Sequence, residues 1–112
     1  MREAGFMYKC DLDRLSEKIK TFSKFGDTGN GGITRLSLSD EALAAREEFC
    51  ERLKKLGANI VTDDMANIYA TIPGSENLPA ILSGSHLDSV RQGGNYDGVL
   101  GVLSAMEAVE TI

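Results

Sequence analysis

Ala80-Ile81-Leu82-Ser83-Gly84-Ser85-His86-Leu87-Asp88-Ser89-Val90-Arg91-Gln92-Gly93-Gly94-Asn95-Tyr96-Asp97-Gly98-Val99-Leu100-Gly101 joins a short apolar run to a glycine-rich loop and then to a helical repeat. A continuous run such as Ala80-Ile81-Leu82 is expected of a strand buried on both faces, which predicts a central strand here. From Asp97 onward, Val99, Val102, Leu103, Met106, Val109 and Ile112 recur at helical spacing, which predicts a helix packed on the sheet. Strand, loop and helix in that order form an α/β unit.

Upstream, the apolar period is first helical and then strand-like. Asp11 is placed to cap a helix in which Leu12, Leu15, Ile19, Phe22 and Phe25 recur every three or four positions, and Gly26 ends it. Asp27-Thr28-Gly29-Asn30-Gly31-Gly32 is rich in residues that accept turns and positive φ, so a mobile surface loop is expected. Ser39 or Asp40 opens a second helix, with Asp40 and Glu41 complementing the dipole and Leu43, Phe49, Leu53 and Leu56 as its buried stripe. After Gly57, Ala58–Thr62 and Ile68–Ile72 read as strands of a hairpin turning through Asp63–Asn67, and Pro73–Asn77 is a further turn. The order helix, helix, strand, strand, strand, helix predicts a single α/β domain over residues 1–112 with helices on a sheet. A sheet ending on a central-looking strand leaves an uncovered edge, so further chain after Ile112 is expected.

Composition narrows the partners. The chain has 112 residues and 42% hydrophobic content, ordinary for one packed core, and 17 acidic against 12 basic side chains give a net charge of -5. That balance disfavours sequence-blind phosphate binding, so nucleic acid is not an expected partner. Residues 58–112 hold one basic and 7 acidic side chains, so a cation would favour this half. Cys10 and Cys50 are far apart and in no CxxC spacing, which argues against a disulfide framework or a zinc knuckle and fits a reduced, cytoplasmic setting. Met1 to Phe6 lack the apolar core of a signal peptide, and no run approaches the roughly 20 residues that cross a bilayer.

His86, the sole histidine, falls at the carboxyl end of the expected strand, the edge where open α/β sheets bind ligands. Residues i and i+2 of an extended chain point to one side, so His86 and Asp88 can meet while Leu87 turns inward. An imidazole is a common ligand for zinc-like cations, and a neighbouring carboxylate orients it, so His86 reads as a metal ligand and Asp88 as its orienting group. Asp97 stands at the start of the final helix, where unpaired N–H groups favour an ionised carboxylate suited to a metal bridge. Gly93-Gly94 permits the loop to return, and Gly98 and Gly101 permit close approach at the helix start.

Taken jointly, Gly84-Ser85-His86-Leu87-Asp88-Ser89, Gly93-Gly94, Tyr96-Asp97-Gly98 and Gly101 resemble the metal-binding segment of the allantoate amidohydrolase and N-carbamoyl-L-amino-acid hydrolase family. Gly31-Gly32-Ile33-Thr34-Arg35-Leu36 and the Asp64 to Asn67 turn are similar to other landmarks of that family, and the separation of 11 positions from His86 to Asp97 resembles its carbamoyl-cleaving branch. The resemblance implies the N-terminal part of a zinc-peptidase-like catalytic domain on a mixed sheet, with two divalent ions (zinc, manganese, cobalt or nickel). His86 would bind one ion, Asp97 would bridge both, and Asp88 would act in catalysis by supporting the histidine. A glutamate would move the proton to the leaving nitrogen. The implied substrates are allantoate, ureidoglycolate or N-carbamoyl amino acids, and the implied full-length assembly is a homodimer.

The chain departs from the family pattern in lacking its Glu-Glu pair, its two further histidine ligands and its dimerising domain, so the 112 residues alone are expected to be inactive. Ser89 stands where threonine is commoner, and Ala66 where glycine is usual. The competing possibilities are a metallopeptidase or aminoacylase of the same superfamily, or a non-catalytic module that binds a partner through its exposed sheet edge. The glycines do not have the G-x-G-x-x-G spacing of a phosphate cradle, and the charged run from Arg46 to Lys55 reads as the solvated side of a helix, with Cys50 as a small core residue.

Overall fold

The computed structural model describes residues 7–112, so the expectation about Met1 to Phe6 lies outside the described residues. Helix α1 (Leu12–Phe22) begins at Asp11, whose carboxylate accepts from the Arg14 amide. Helix α2 (Asp40–Lys55) is capped by the Ser39 hydroxyl, which accepts from Ala42 N at 3.1 Å, with Asp40 and Glu41 in its first turn and Arg52, Lys54 and Lys55 in its last. It stops in a Schellman arrangement: Gly57 at φ +88° donates to the Lys54 carbonyl, and Ala58 donates to that of Leu53. Strands β1 (Asn59–Thr62) and β2 (Ile68–Thr71) form an antiparallel hairpin with Ile60 opposite Ala70, and helix α3 (Val99–Thr111) closes the chain.

The hairpin turn is organised by Asp63, whose carboxylate accepts from the amides of Met65 and Asn67 and from the Asn67 side chain. These bonds hold its carboxyl below the usual carboxylate range, Asn67 being the main cause. Ala66 is thereby forced to φ +65°, the left-handed region, which explains why glycine is the easier residue at this position.

The core gathers Phe22, Ala45, Leu53, Val99, Val102, Leu103 and Met106, flanked by Ile60, Ala70 and Leu87. Helix α1 packs on α3, and α2 packs on β1. The predicted helices and hairpin are therefore present, but four expectations are corrected. Ala80–Leu82 forms no strand: Ile81 and Leu82 are 98% and 84% exposed, because no other described strand lies alongside to satisfy their backbone groups. The sheet is accordingly not mixed but two-stranded and antiparallel. Leu43 is exposed, since the buried stripe of α2 runs through the small residues Ala42 and Ala45 to Leu53 and lets the core approach closely. Leu12, Val109 and Ile112 are also exposed, because the apolar contact of α1 with α3 gives way to charge at their outer ends.

That charge is the main polar feature of the interior. Glu107, 1% exposed, accepts from Arg14 Nη2 at 2.6 Å, from Lys18 Nζ at 3.0 Å and from the Asp11 amide at 2.9 Å. Lys18, 3% exposed, also reaches Glu110 at 2.6 Å. The Arg14 hydrogen bond, ahead of the opposing cost of burial, lowers the Glu107 carboxyl from 4.5 to about 2. Because the folded value lies below the unfolded one, this stabilisation is fully present above about pH 5 and is lost as the pH falls toward the folded value.

Glu107→Gln should therefore cost about 3 kcal/mol at neutral pH by leaving Lys18 and Arg14 under-compensated. Urea midpoints measured from neutral to acid pH should fall more steeply for the parent chain than for the variant; parallel curves would contradict the assignment. Ala66→Gly should relieve the left-handed strain and raise stability by about 1 kcal/mol, read from the same unfolding curves.

Candidate functional site

Residues 85–89 pass beneath the start of α3, where Gly98 and Gly101 meet His86 and Ser85, and a second segment, Ile33 to Arg35, braces them. Ile33 and Gly93 exchange backbone hydrogen bonds at 2.9 and 2.7 Å, Ser89 N donates to the Arg35 carbonyl at 2.8 Å, and Arg35 N donates to Ser89 Oγ at 2.9 Å. The Ser89 hydroxyl also lies 2.9 Å from the Ile33 carbonyl, so a serine satisfies this position. The left-handed position in the returning loop is taken by Gln92 at φ +49°, whose amide donates to Thr34 Oγ1. Gly94 faces open space, so the loop does not need its lack of a side chain; a side chain on Gly93 would press on Ser89 and Val90.

Arg35 is 2% exposed and has no carboxylate within hydrogen-bonding reach among the described residues. Its Nε donates to the Leu87 carbonyl at 2.7 Å, and its Nη1 donates to the carbonyls of Phe22 and Phe25 at 2.8 and 2.7 Å. One guanidinium thus joins the end of α1 to the extended segment. Burial pushes its pKa below the usual arginine value, while the nearby Asp88 charge acts in the opposite direction.

The expected pairing of His86 with Asp88 is present. His86 Nδ1 lies 3.0 Å from the Asp88 carbonyl oxygen and 3.1 Å from Asp88 Oδ1. Both partners are acceptors, so the geometry suits a proton on Nδ1; in the neutral ring the lone pair then lies on Nε2. Both side chains remain about half exposed.

Helix α3 meets this pair through two glycines. Gly98 caps the helix at φ +75°, and a β-carbon there would overlap the His86 ring. A β-carbon on Gly101 would lie 2.7 Å from that of Ser85. Asp97 directly precedes the glycine that the ring covers; its carbonyl accepts from Val99 N, and its carboxylate makes no hydrogen bond or ion pair among the described residues. It does not cap α3 with its side chain, because Gly98 takes the cap position.

His86 Nε2 and the Asp97 carboxylate are donors of the kind divalent cations accept, but no group of three His, Cys, Asp or Glu that could hold an ion occurs among the described residues. By their chemistry these two donors would make up part of a metal's donor set, and not a complete one. No helix of the described residues is long and apolar enough to cross a membrane.

No family model matches the chain. Relatives and solved structures do. An N-carbamoyl-L-amino-acid amidohydrolase from Paenarthrobacter aurescens is 37% identical over 107 residues, 95% of this chain and 26% of that protein. A ureidoglycolate hydrolase from Arabidopsis thaliana is 35% identical over 103 residues, 91% of this chain and 22% of that protein. A crystal structure of a hydantoinase/carbamoylase family amidase from Burkholderia ambifaria superposes with a TM-score of 0.90 at 34% identity, covering 95% of this chain and 26% of that one. The chain is thus a relative of the hydrolases that act on ureido and amide bonds. Over nearly all of its length it is homologous to the allantoate amidohydrolase and N-carbamoyl-L-amino-acid hydrolase family, and it spans about a quarter of the length of the relatives it matches.

Gly98→Ala tests the contact between helix and ring. It should destabilise the fold by more than about 1 kcal/mol, because alanine is strained at positive φ and its methyl group meets the imidazole. It should also shift the single set of histidine ring resonances; unchanged resonances in a folded variant would show that the ring does not sit on Gly98.

Proposed function

We propose that these 112 residues form part of a metal-dependent amidohydrolase that cleaves a C–N bond of a linear ureido or carbamoyl compound. The observation that supports this best is the setting of His86: Nδ1 is engaged by Asp88, which leaves Nε2 free to act as a donor in the neutral ring, and Gly98, the residue after Asp97, lies against the imidazole. The substrate class follows the activities of the relatives, and allantoate, ureidoglycolate and N-carbamoyl amino acids share a planar carbamoyl group whose carbonyl resists attack by water. Divalent ions at this rim, whether zinc, manganese, cobalt or nickel, would polarise the scissile carbonyl and acidify water.

His86 supplies the neutral nitrogen donor. Asp88 keeps the proton on Nδ1, so that Nε2 stays available. Asp97 supplies negative charge at a helix start that offers no competing side-chain partner. Leu87, between the two polar residues, packs against the core. The remaining ligands, the proton-transferring carboxylate and the dimer contact are assigned to the rest of the protein.

The test is made on the protein that contains this chain, assayed for metal-dependent release of ammonia from allantoate, ureidoglycolate or an N-carbamoyl amino acid. His86→Ala should lower bound metal as well as turnover, by 10-fold to 100-fold or about that range. Asp97→Asn should be more damaging than Asp88→Asn, because Asp97 would give its charge directly to the ions whereas Asp88 would act through His86. Full metal content in His86→Ala, or activity indifferent to chelators, would defeat the proposal.

A further inference from the structure

We propose that Arg35 is the positioning residue that selects the tautomer of His86, by locking both peptide groups that flank Asp88. The Leu87 carbonyl belongs to the peptide group on the N-terminal side of Asp88, and the Arg35 guanidinium holds it through Nε at 2.7 Å. The Ser89 amide belongs to the peptide group on the other side, and the Arg35 carbonyl holds it at 2.8 Å. That second peptide group contains the Asp88 carbonyl oxygen, one of the two acceptors facing His86 Nδ1. A single residue therefore fixes the orientation of Asp88, of its carbonyl and, through them, of the imidazole proton.

Burial of the guanidinium makes sense on this basis. Arg35 is 2% exposed and spends its donors on three backbone carbonyls, and no carboxylate is bonded to it among the described residues. A buried cation is costly, and a surface ion pair would satisfy it more cheaply. Phe22 and Phe25 anchor it to the rigid end of α1, so the clamp on Leu87 refers the rim to the core rather than to a loop. A planar fork suits this work, since its donors diverge in fixed directions toward separate carbonyls.

The inference deepens the proposal for His86, and rests on it only for the use made of Nε2; the tautomer itself is measurable without metal. His86 is the sole histidine, so a long-range proton–nitrogen spectrum of the 112-residue chain at alkaline pH reports one ring. The parent chain should show the Nδ1–H form. Arg35→Met, which keeps the backbone bonds but not the fork, should lower the ratio of Nδ1–H to Nε2–H about threefold or more, the change expected on losing one neutral hydrogen bond. Arg35→Lys should recover part of it by reaching a single carbonyl.

An unchanged ratio in an Arg35→Met chain with native helix content would overturn the proposal. Should that variant fail to fold, the parent chain decides: coupling through the hydrogen bond from Arg35 Nε to the Leu87 carbonyl carbon, together with the Nδ1–H ring, supports the clamp. Absence of that coupling, or an Nε2–H ring, rejects it. Loss of the metal proposal would instead appear as a metal-free whole protein with the tautomer intact.

Discussion

A guanidinium with no carboxylate bonded to it among the described residues holds three separate parts of the chain in register. Arg35 ties the last turn of α1 to the extended residues around Leu87, and its own backbone pairs with Ser89. Without that junction the segment at 85–89 would have no strand beside it, because the described sheet ends at the hairpin. Its order comes from the Arg35 side chain together with the backbone bonds of Ile33 and Arg35, which take the place of a neighbouring strand. Everything at the rim inherits this arrangement, from the direction of Leu87 into the core to the approach of Gly98 beneath the imidazole.

The second constraint is ionic and lies between helices. Glu107 receives Arg14, Lys18 and the Asp11 amide, so the first two turns of α1 are fastened to the last turns of α3. Such a cluster adds little net stability over an apolar contact of equal volume, since desolvation offsets much of the attraction. It does fix which turn of one helix meets which turn of the other. The apolar contact of Phe22 with Val102, Leu103 and Met106 lies within the same core and supplies the burial that the charges do not.

Local patterns made much of this legible before any coordinates. Asp11, Ser39, Gly57 and the Val99 to Met106 repeat each carry their own signal of caps, stops and faces, and the alternation around Asp63–Asn67 marks the hairpin. His86 and Asp88 are two apart in an extended segment, so their pairing follows from chain geometry alone. The strand expected at Ala80–Leu82 did not form, because apolar composition states a preference for burial while a strand also needs a partner backbone. Leu43 misled for a related reason: alanines at 42 and 45 define the buried side of α2, and size drew the eye to the wrong position. Lys18 and Glu107 escaped notice although both sit within apolar stripes, Lys18 between Leu15 and Phe22 and Glu107 four residues after Leu103. Opposite charges embedded in two such stripes are the readable sign of a buried pair. Arg35 carried no comparable sign, since its partners are backbone carbonyls from distant segments.

Glu107 lies nine residues after Gly98, which places about 13 Å of helix between the ionic cluster and the imidazole. The two ends of α3 therefore serve different masters: one sets how firmly the scaffold holds, the other what the rim can touch. Hydrocarbon side chains exchanged for the charged cluster would harden the framework and leave the ring where it is. Durability and reactivity in this chain are, in that sense, separately adjustable.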